Sequence, residues 1–421
     1  MSEPAAVPAY LERLNPAQRD AATHGRQTPQ GFVADPLLVI AGAGTGKTMT
    51  LAHRVAHLVI EGVSPDRILL LTFTRRAARE MTRRARRIVT GSVAEKTGKR
   101  ADIRLPWSGT FHAISNRLLR QYAANLGLDP AFSVLDRGDA ADLMDVVRHR
   151  SGLSGKARRF PRKDTCLAIY SRCVNARLEL QAGLELAWPW CLDWHDELRS
   201  LFRGYVEAKQ QSAALDYDDL LLYWCHLISD PDLAASVAGR FDHVLVDEYQ
   251  DTNILQAEIL AGIKPDGSGV TVVGDDAQSI YSFRAAEVGN ILGFPDRFSP
   301  RARTVTLDHN YRSIQPVLDA ANEVIAGGRR QYRKRLVSDR VSDQMPRYVT
   351  VEDDESQSDY VIDGVLAARE AGQRLMDQAV LFRNSHHSDR LEIDLTRRNI
   401  PYVKYGGLKF LEAAHVKDLL A

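Results

Sequence analysis

The stretch that most constrains this chain is residues 36–48, PLLVIAGAGTGKT. Leu37 to Ile40 is a short apolar run that predicts a buried parallel strand. It passes into a turn of small residues, Ala41-Gly42-Ala43-Gly44-Thr45-Gly46, and Lys47-Thr48 then opens a helix. Strand, small-residue turn and helix in that order form a cradle for polyphosphate. The backbone curls so that several N–H groups face one anion, and the helix N-terminus adds partial positive charge. In such a cradle Lys47 pairs with the β- and γ-phosphates, and the Thr48 hydroxyl takes a place on Mg²⁺. Ala41 stands where the strict pattern has glycine, and its small side chain keeps the turn feasible.

Other stretches supply groups that suit the same chemistry. Asn15 and Pro16 predict a capped helix start, and the Gln18 amide just inside it has the donor and acceptor needed to read an adenine edge. Ile68 to Phe73 predicts a second buried strand that runs into TFTRRAAREMTRRARR, residues 72–87. Arg75, Arg76, Arg79, Arg83, Arg84, Arg86 and Arg87 crowd that helix. A solvated basic face accounts for such a run. Its position after the carboxyl end of a strand, with Phe73 as a stacking surface, equally suits single-stranded nucleic acid.

Residues 91–104 read as a polar loop, and Ser108 to His112 as the opening of an amphipathic helix. From about residue 113 to 240 the period is mostly helical, which predicts an insertion. Within it, Asp216, Asp218 and Asp219 are explained as partners of a helix N-terminus and are not assigned to a metal.

FDHVLVDEYQDT, residues 241–252, predicts a strand ending in two acids. Asp247 is placed to share Mg²⁺ with Thr48, and Glu248 to orient and deprotonate an attacking water. VTVVGDDAQSIYSFRAA, residues 270–286, adds another strand with Gln278 beyond it, where a γ-phosphate can be sensed. Tyr281 and Phe283 suit base stacking as well as a core, and Arg284 is a cation beside them. In TVTLDHNYRS, residues 304–313, Tyr311 can stack on adenine and Arg312 can act as an arginine finger.

At 421 residues the chain accommodates two to three domains. A net charge of +1 decides nothing about nucleic acid, because a local basic stripe can be offset elsewhere. Cys166, Cys173, Cys191 and Cys225 form no C-x-x-C pair and read as reduced thiols. No basic-then-apolar leader and no apolar run of about 18 residues are present, so a soluble cytoplasmic protein without a membrane partner is expected.

Gln18, AGAGTGKT, TFTRRAAREM, GTFH, DYDDLL, VDEYQDT, VGDDAQSIYSFRAA and LDHNYRS occur in an order and spacing that resemble the UvrD/Rep/PcrA family of superfamily-one DNA helicases. GGLKFLEAAHVKDLL, residues 406–420, extends the resemblance to the end of the chain. The resemblance implies a 3′→5′ translocase on single-stranded DNA that unwinds duplex junctions with ATP and Mg²⁺, in repair or replication. It implies an α/β fold: a RecA-like P-loop NTPase core with a helical insertion, then part of a second RecA-like domain. The expected division is 1–112 and 215–313 for the first core domain, 113–214 for the insertion, and 314–421 for the second. By the same resemblance Gln18 and Tyr311 contact adenine, and Gln278 and Arg312 contact the γ-phosphate. Phe73, Arg75, His112, Tyr281, Phe283 and Arg284 fall in DNA-facing motifs.

Three departures stand out. Met49 replaces the usual arginine after GKT, Phe283 replaces a tryptophan, and the later motifs, including a second arginine finger, are absent from these 421 residues. Strands are expected at Arg347 to Val351, Ala379 to Phe382 and Pro401 to Tyr405, with exposed basic and acidic loops at 329–335 and 352–359. A loading partner or a separate carboxyl-terminal half would then complete the motor. The alternative is a nucleotide-dependent DNA-binding module that does not unwind. A nucleotide kinase leaves VDEYQDT, SIYSFR and NYRS without a use.

Overall fold

The structure, a computed structural model, describes residues 7–97, 104–153, 160–281 and 285–405. The chain divides into two compact units, Met1–Gln344 and Met345–Ala421.

In the first unit, helix α1 (Pro16–Thr23) is followed by a hairpin of β1 (Arg26–Thr28) and β2 (Gly31–Val33). Strand β3 (Leu37–Ala41) then enters the phosphate loop, which opens α2 (Lys47–Ile60). Strand β4 (Ile68–Thr72) feeds α3 (Arg75–Thr97), and β5 (Ser108–Thr110) feeds α4 (Phe111–Gln121). After a helical excursion come β8 (His243–Val246), β9 (Val270–Gly274) and β10 (Arg303–Leu307). The six core strands are all parallel, in the order β10-β3-β9-β8-β4-β5.

The apolar runs explain this sheet. Period-two alternation sends Leu38, Ile40, Leu69, Leu71, Val244, Val246, Val270 and Val272 into one core. Their neighbours Leu37, Val39, Ala41, Ile68, Leu70, Leu245 and Val273 enter the other. Such double-sided burial needs helices on both faces. Leu51, Val55 and Leu58 of α2, with Met81 and Ala85 of α3, cover the second face. Phe111, Ile114 and Leu118 of α4 cover the first, together with Trp224 and Leu255. All the strand carboxyl ends share one edge, where open α/β sheets bind ligands.

The excursion begins with β6 (Ser133–Val134), which pairs in parallel with β7 (Ala214–Leu215). Between them α5 (Arg137–Arg150), α6 (Lys163–Asn175), α7 (Leu180–Ala187) and α8 (His195–Gln211) enclose their own core around Met144, Ile169, Leu198 and Tyr205. Helices α9 (Tyr217–Ser229), α10 (Pro231–Ala238) and α11 (Ile254–Ile263) lead back to the sheet or pack beside it. Lys209 of α8 is buried and ion-paired to Asp216 at 2.7 Å and Asp219 at 2.6 Å. Asp216 caps α9, and Asp218 accepts from Asn175 Nδ2 at 2.6 Å and Ser171 Oγ at 3.1 Å, so this acidic cluster is spent on a helix start, one lysine and two polar side chains of α6.

Several local expectations change. Residues Ser108 to Thr110 form an edge strand, with the helix starting at Phe111 capped by Thr110. Three residues are too few for periodicity to register. Helix α3 runs on to Thr97, into the stretch expected as loop. The stretch 329–335 is not simply exposed: Lys334 is 4% exposed in its side chain and paired with two aspartates. Helices α12 (Gly289–Leu292) and α13 (Gln315–Ala326) complete this unit.

In the second unit α14 (Asp354–Glu370) and α15 (Asp389–Arg397) pack through Ile362, Leu395 and Ile400. Helix α14 takes up much of the acidic stretch, with Asp353 as its N-cap. Residues 347–351, 379–382 and 401–405 carry no strand ladder among the described residues, and Leu381 and Tyr348 are exposed. A strand exists by bonding to a neighbour, which an apolar run alone does not supply.

Candidate functional site

The phosphate loop bends at Gly44 and Gly46, whose φ values are +75° and +87°. A Cβ at Gly44 would lie 2.6 Å from Asn310 Nδ2, and one at Gly46 would lie 2.6 Å from Gln18 Nε2. Both positions therefore need glycine for conformation and for clearance. Thr45 ties the turn across itself, donating from Oγ1 to the Gly42 carbonyl at 2.8 Å. Ala41 ends β3 fully buried, and Gly42 and Ala43 follow it in the turn.

Three strand ends converge on this loop. The ammonium of Lys47, from the start of α2, donates to Glu248 Oε2 at 2.8 Å and lies 3.4 Å from Gln278 Oε1. Glu248 leaves β8 in the left-handed region, φ +50° and ψ 47°, a conformation that costs an ordinary residue about 1 kcal/mol or more. Gln250 Nε2 donates to the same Glu248 oxygen at 2.9 Å, while Gln250 Oε1 accepts from the Asp275 N–H at 3.0 Å. Gln278 Nε2 donates to Asp275 Oδ2 at 2.6 Å. The ends of β3, β8 and β9 are thus linked through polar side chains around one point.

Asp247 is 5% exposed, and its Oδ1 has no hydrogen-bond partner. Burial, then the charge of Glu248, pushes its carboxyl up to about 7 against the opposing pull of Lys47. An orphaned carboxylate oxygen at a strand end suits Mg²⁺, a hard cation that binds through one or two carboxylates and phosphate oxygens. Thr48, half-buried in the first turn of α2, supplies the companion hydroxyl of that donor set.

Residues 310–312 lie on the phosphate loop. Asn310 Nδ2 donates to the Ala43 carbonyl at 2.5 Å, and the Tyr311 N–H donates to the Gly44 carbonyl at 2.9 Å. Arg312 follows directly, its Cβ lying 2.8 Å from where a Gly44 side chain would begin. The Tyr311 ring is half exposed, and its hydroxyl accepts from Asn15 Nδ2 at 3.0 Å. Gln18 sits on the other side of the loop. Its Oε1 accepts from the Asn15 N–H at 3.0 Å in a capping box, and its Nε2 donates to the Thr45 carbonyl at 2.8 Å. Each end of that amide makes one bond within the protein, which fixes its orientation and leaves the second Nε2 hydrogen and the second Oε1 lone pair for an adenine edge.

Of the residues expected to face nucleic acid, Phe73 and Arg75 follow β4, His112 follows β5, and Tyr281 lies beyond β9. The Phe73 ring is 37% exposed and lies 5.3 Å from that of Tyr281, tilted by 33°. Arg75 and Arg76 are exposed at the start of α3, while Ala78, Met81, Ala85 and Val89 turn inward at helical spacing. His112 packs edge-on against Tyr217 at 5.6 Å, and burial pushes its imidazole down to about 4. A neutral ring at this place offers stacking and hydrogen bonding and no counter-charge for phosphate. Phe73, His112, Tyr217 and Arg137 line a cavity of about 660 Å³ together with Asp247 and Glu248. Phe283 and Arg284 lie outside the described residues.

Gln250, Asp275, Asn310 and Lys334 were not singled out from sequence. Polar residues at the ends of apolar strands were the available signal for Gln250 and Asp275. Asn310 Oδ1 accepts from the N–H groups of Arg312 at 2.8 Å and Ser313 at 2.7 Å, a local turn that suits asparagine, whereas nothing local marks Lys334, whose partners lie far away in the chain.

Residues 14–299 match the description of the UvrD/REP helicase N-terminal domain, and residues 305–421 match the UvrD-like helicase C-terminal domain. The chain is 32% identical over 416 residues to the ATP-dependent DNA helicase PcrA of Staphylococcus aureus, covering 98% of this chain and 53% of that protein. It is 33% identical to PcrA of Staphylococcus epidermidis, covering 98% of this chain and 54% of that protein. The chain spans about half the length of these curated relatives. The sheet, the phosphate loop and the two domain matches together make this chain a member of the UvrD/REP helicase family.

Proposed function

We propose that this chain hydrolyses ATP with Mg²⁺ and uses the cycle to move 3′→5′ along single-stranded DNA and open duplex junctions. The observation that carries this reading is the meeting of Lys47, Glu248 and Gln278 at the ends of three neighbouring strands. The names of the relatives as ATP-dependent DNA helicases support it.

The chain's residues divide the work. The loop amides and Lys47 bind the phosphates, and an arriving phosphate takes the Lys47 ammonium away from Glu248. That frees the Glu248 carboxylate to accept a proton from water, while Gln250 keeps it oriented. Asp247 and Thr48 would hold Mg²⁺, which would supply positive charge against the phosphates. Gln278 and Arg312 contact the γ-phosphate, and Tyr311 stacks on adenine with Gln18 beside it. Phe73, His112 and Tyr281 offer surfaces to bases, and Arg75 offers charge to the DNA backbone. The domain division at residues 112, 214 and 313 belongs to the same reading, with the two core parts closing on ATP and opening after hydrolysis.

The test is steady-state hydrolysis by the purified chain, with and without a single-stranded oligonucleotide, at two salt concentrations. Strong stimulation by DNA is expected. A chain that binds neither ATP nor DNA refutes the reading. Tight binding of both with negligible turnover favours the nucleotide-dependent binding module.

A further inference from the structure

Residues 332–337 run as a strap past three pieces of the nucleotide site. Tyr332 donates its N–H to Asp276 Oδ2 at 2.9 Å, and its hydroxyl to the Leu292 carbonyl at 3.2 Å. Leu336 lies over Gly42 and is bracketed by Asn322 of α13, which bonds both its N–H and its carbonyl at 2.9 Å. Val337 accepts from the Asn310 N–H at 2.7 Å and donates to the Asp308 carbonyl at 3.0 Å. The strap therefore connects the end of β9, the phosphate loop and the Asn310–Arg312 segment.

Lys334 is the charged residue at its centre. Its ammonium lies 2.6 Å from Asp275 Oδ1 and 2.7 Å from Asp276 Oδ1, and all three side chains are at most 4% exposed. Both oxygens of Asp275 are engaged: Oδ1 takes Lys334 and the Ala277 N–H at 3.1 Å, and Oδ2 takes Gln278 Nε2. A carboxylate only accepts, so it fixes which end of the Gln278 amide faces it. The Gln278 oxygen is thereby turned to Lys47, and the second hydrogen on Nε2 remains for another acceptor. An ammonium held dry between two carboxylates is costly unless its geometry is kept, which makes this a stiff joint.

We propose that Lys334 is a positioning residue for hydrolysis: by holding Asp275 it sets the Gln278 amide and ties that setting to the strap that also bonds Asn310. The inference rests on Gln278 acting on the γ-phosphate as described above. Movement of the Asn310–Arg312 segment then reaches the hydrolysis site through Lys334.

The test compares wild type, Lys334→Met, Lys334→Arg, Gln278→Ala and the Lys334→Met/Gln278→Ala double variant in DNA-stimulated ATP hydrolysis. Lys334→Met is expected to lower kcat by about ten- to a hundredfold, the scale of a misplaced group, with KM for ATP changed less than about twofold. Lys334→Arg keeps a cation between the carboxylates and recovers most of the rate. The double variant is no slower than Gln278→Ala alone. Should Lys334→Met fail to fold, Lys334→Met/Asp276→Asn keeps the cluster's net charge and takes its place. A wild-type kcat in that variant, or an equal slowing of the Gln278→Ala enzyme, overturns the positioning role alone. A wild-type chain without hydrolysis, or Gln278→Ala at the wild-type rate, overturns the function given to Gln278 and the proposal with it.

Discussion

Replacing Glu248 by glutamine is expected to stop hydrolysis and, at the same time, to tighten ATP binding. Lys47 and Glu248 are joined at 2.8 Å, with the lysine side chain 10% and the glutamate 32% exposed. A phosphate that takes the ammonium must first part this pair. Two unit charges about 4 Å apart attract by about 4 kcal/mol at an effective dielectric constant of about 20. Most of that is returned by hydration of the freed carboxylate, leaving a net cost of about 1 kcal/mol for a half-buried pair. Glu248→Gln removes the charge and keeps an acceptor, so Kd for ATP falls by about fivefold. Loss of the general base lowers single-turnover hydrolysis by about 10²–10⁴-fold. A fluorescent ATP analogue titrated onto wild type, Glu248→Gln, Lys47→Ala and the double variant reads the affinity. Lys47→Ala should weaken binding, and in that background Glu248→Gln should no longer tighten it. Weaker ATP binding by Glu248→Gln, or turnover at the wild-type rate, would refute the exchange of partners at Lys47.

Other expectations follow from the packing. Lys209→Met leaves Asp216 and Asp219 buried without their cation, so stability falls by about 3–5 kcal/mol. A urea midpoint unchanged from wild type contradicts this, and a milder loss is expected in Lys209→Met/Asp219→Asn. His57 and His243 are each pushed down to about 4 by burial, with Arg54 adding to it. The unfolded chain binds more protons than the folded one between about pH 6.5 and 4, so their contribution is present at neutral pH and lost as pH falls through that window. Urea midpoints of wild type and the His57→Asn/His243→Asn variant should converge over that range, and a constant difference rules the linkage out. Phe73→Ala should weaken single-stranded DNA binding by about 1–3 kcal/mol while leaving the salt slope unchanged, because a stacked ring neutralises no phosphate. A flatter slope would mean that the substitution disturbs the arginines of α3 instead.

The strand ends and the phosphate loop were legible because each is a contiguous run. Leu37 to Thr48 contains both the apolar period and the glycines, and Asp247 follows its strand directly. Parallel pairing then follows from runs buried on both faces. Edge elements were less legible: β5 spans Ser108–Thr110, too short to show a period. The apolar runs at 347–351 and 379–382 have the composition of strands, yet pairing depends on a partner and not on composition.

The sequence by itself determined the chemistry available: a lysine at a helix start, two acids after one strand and a glutamine after another. Only the tertiary structure decided how those groups are engaged. Lys47 and Glu248 are 201 residues apart, and Asn310 meets Ala43 across 267. Lys334 reads as one more charge in a basic stretch until the fold buries it between Asp275 and Asp276. The physical reason is range: periodicity and turn chemistry act over a few residues, whereas the partner of a buried charge is chosen by whatever the packed core brings beside it.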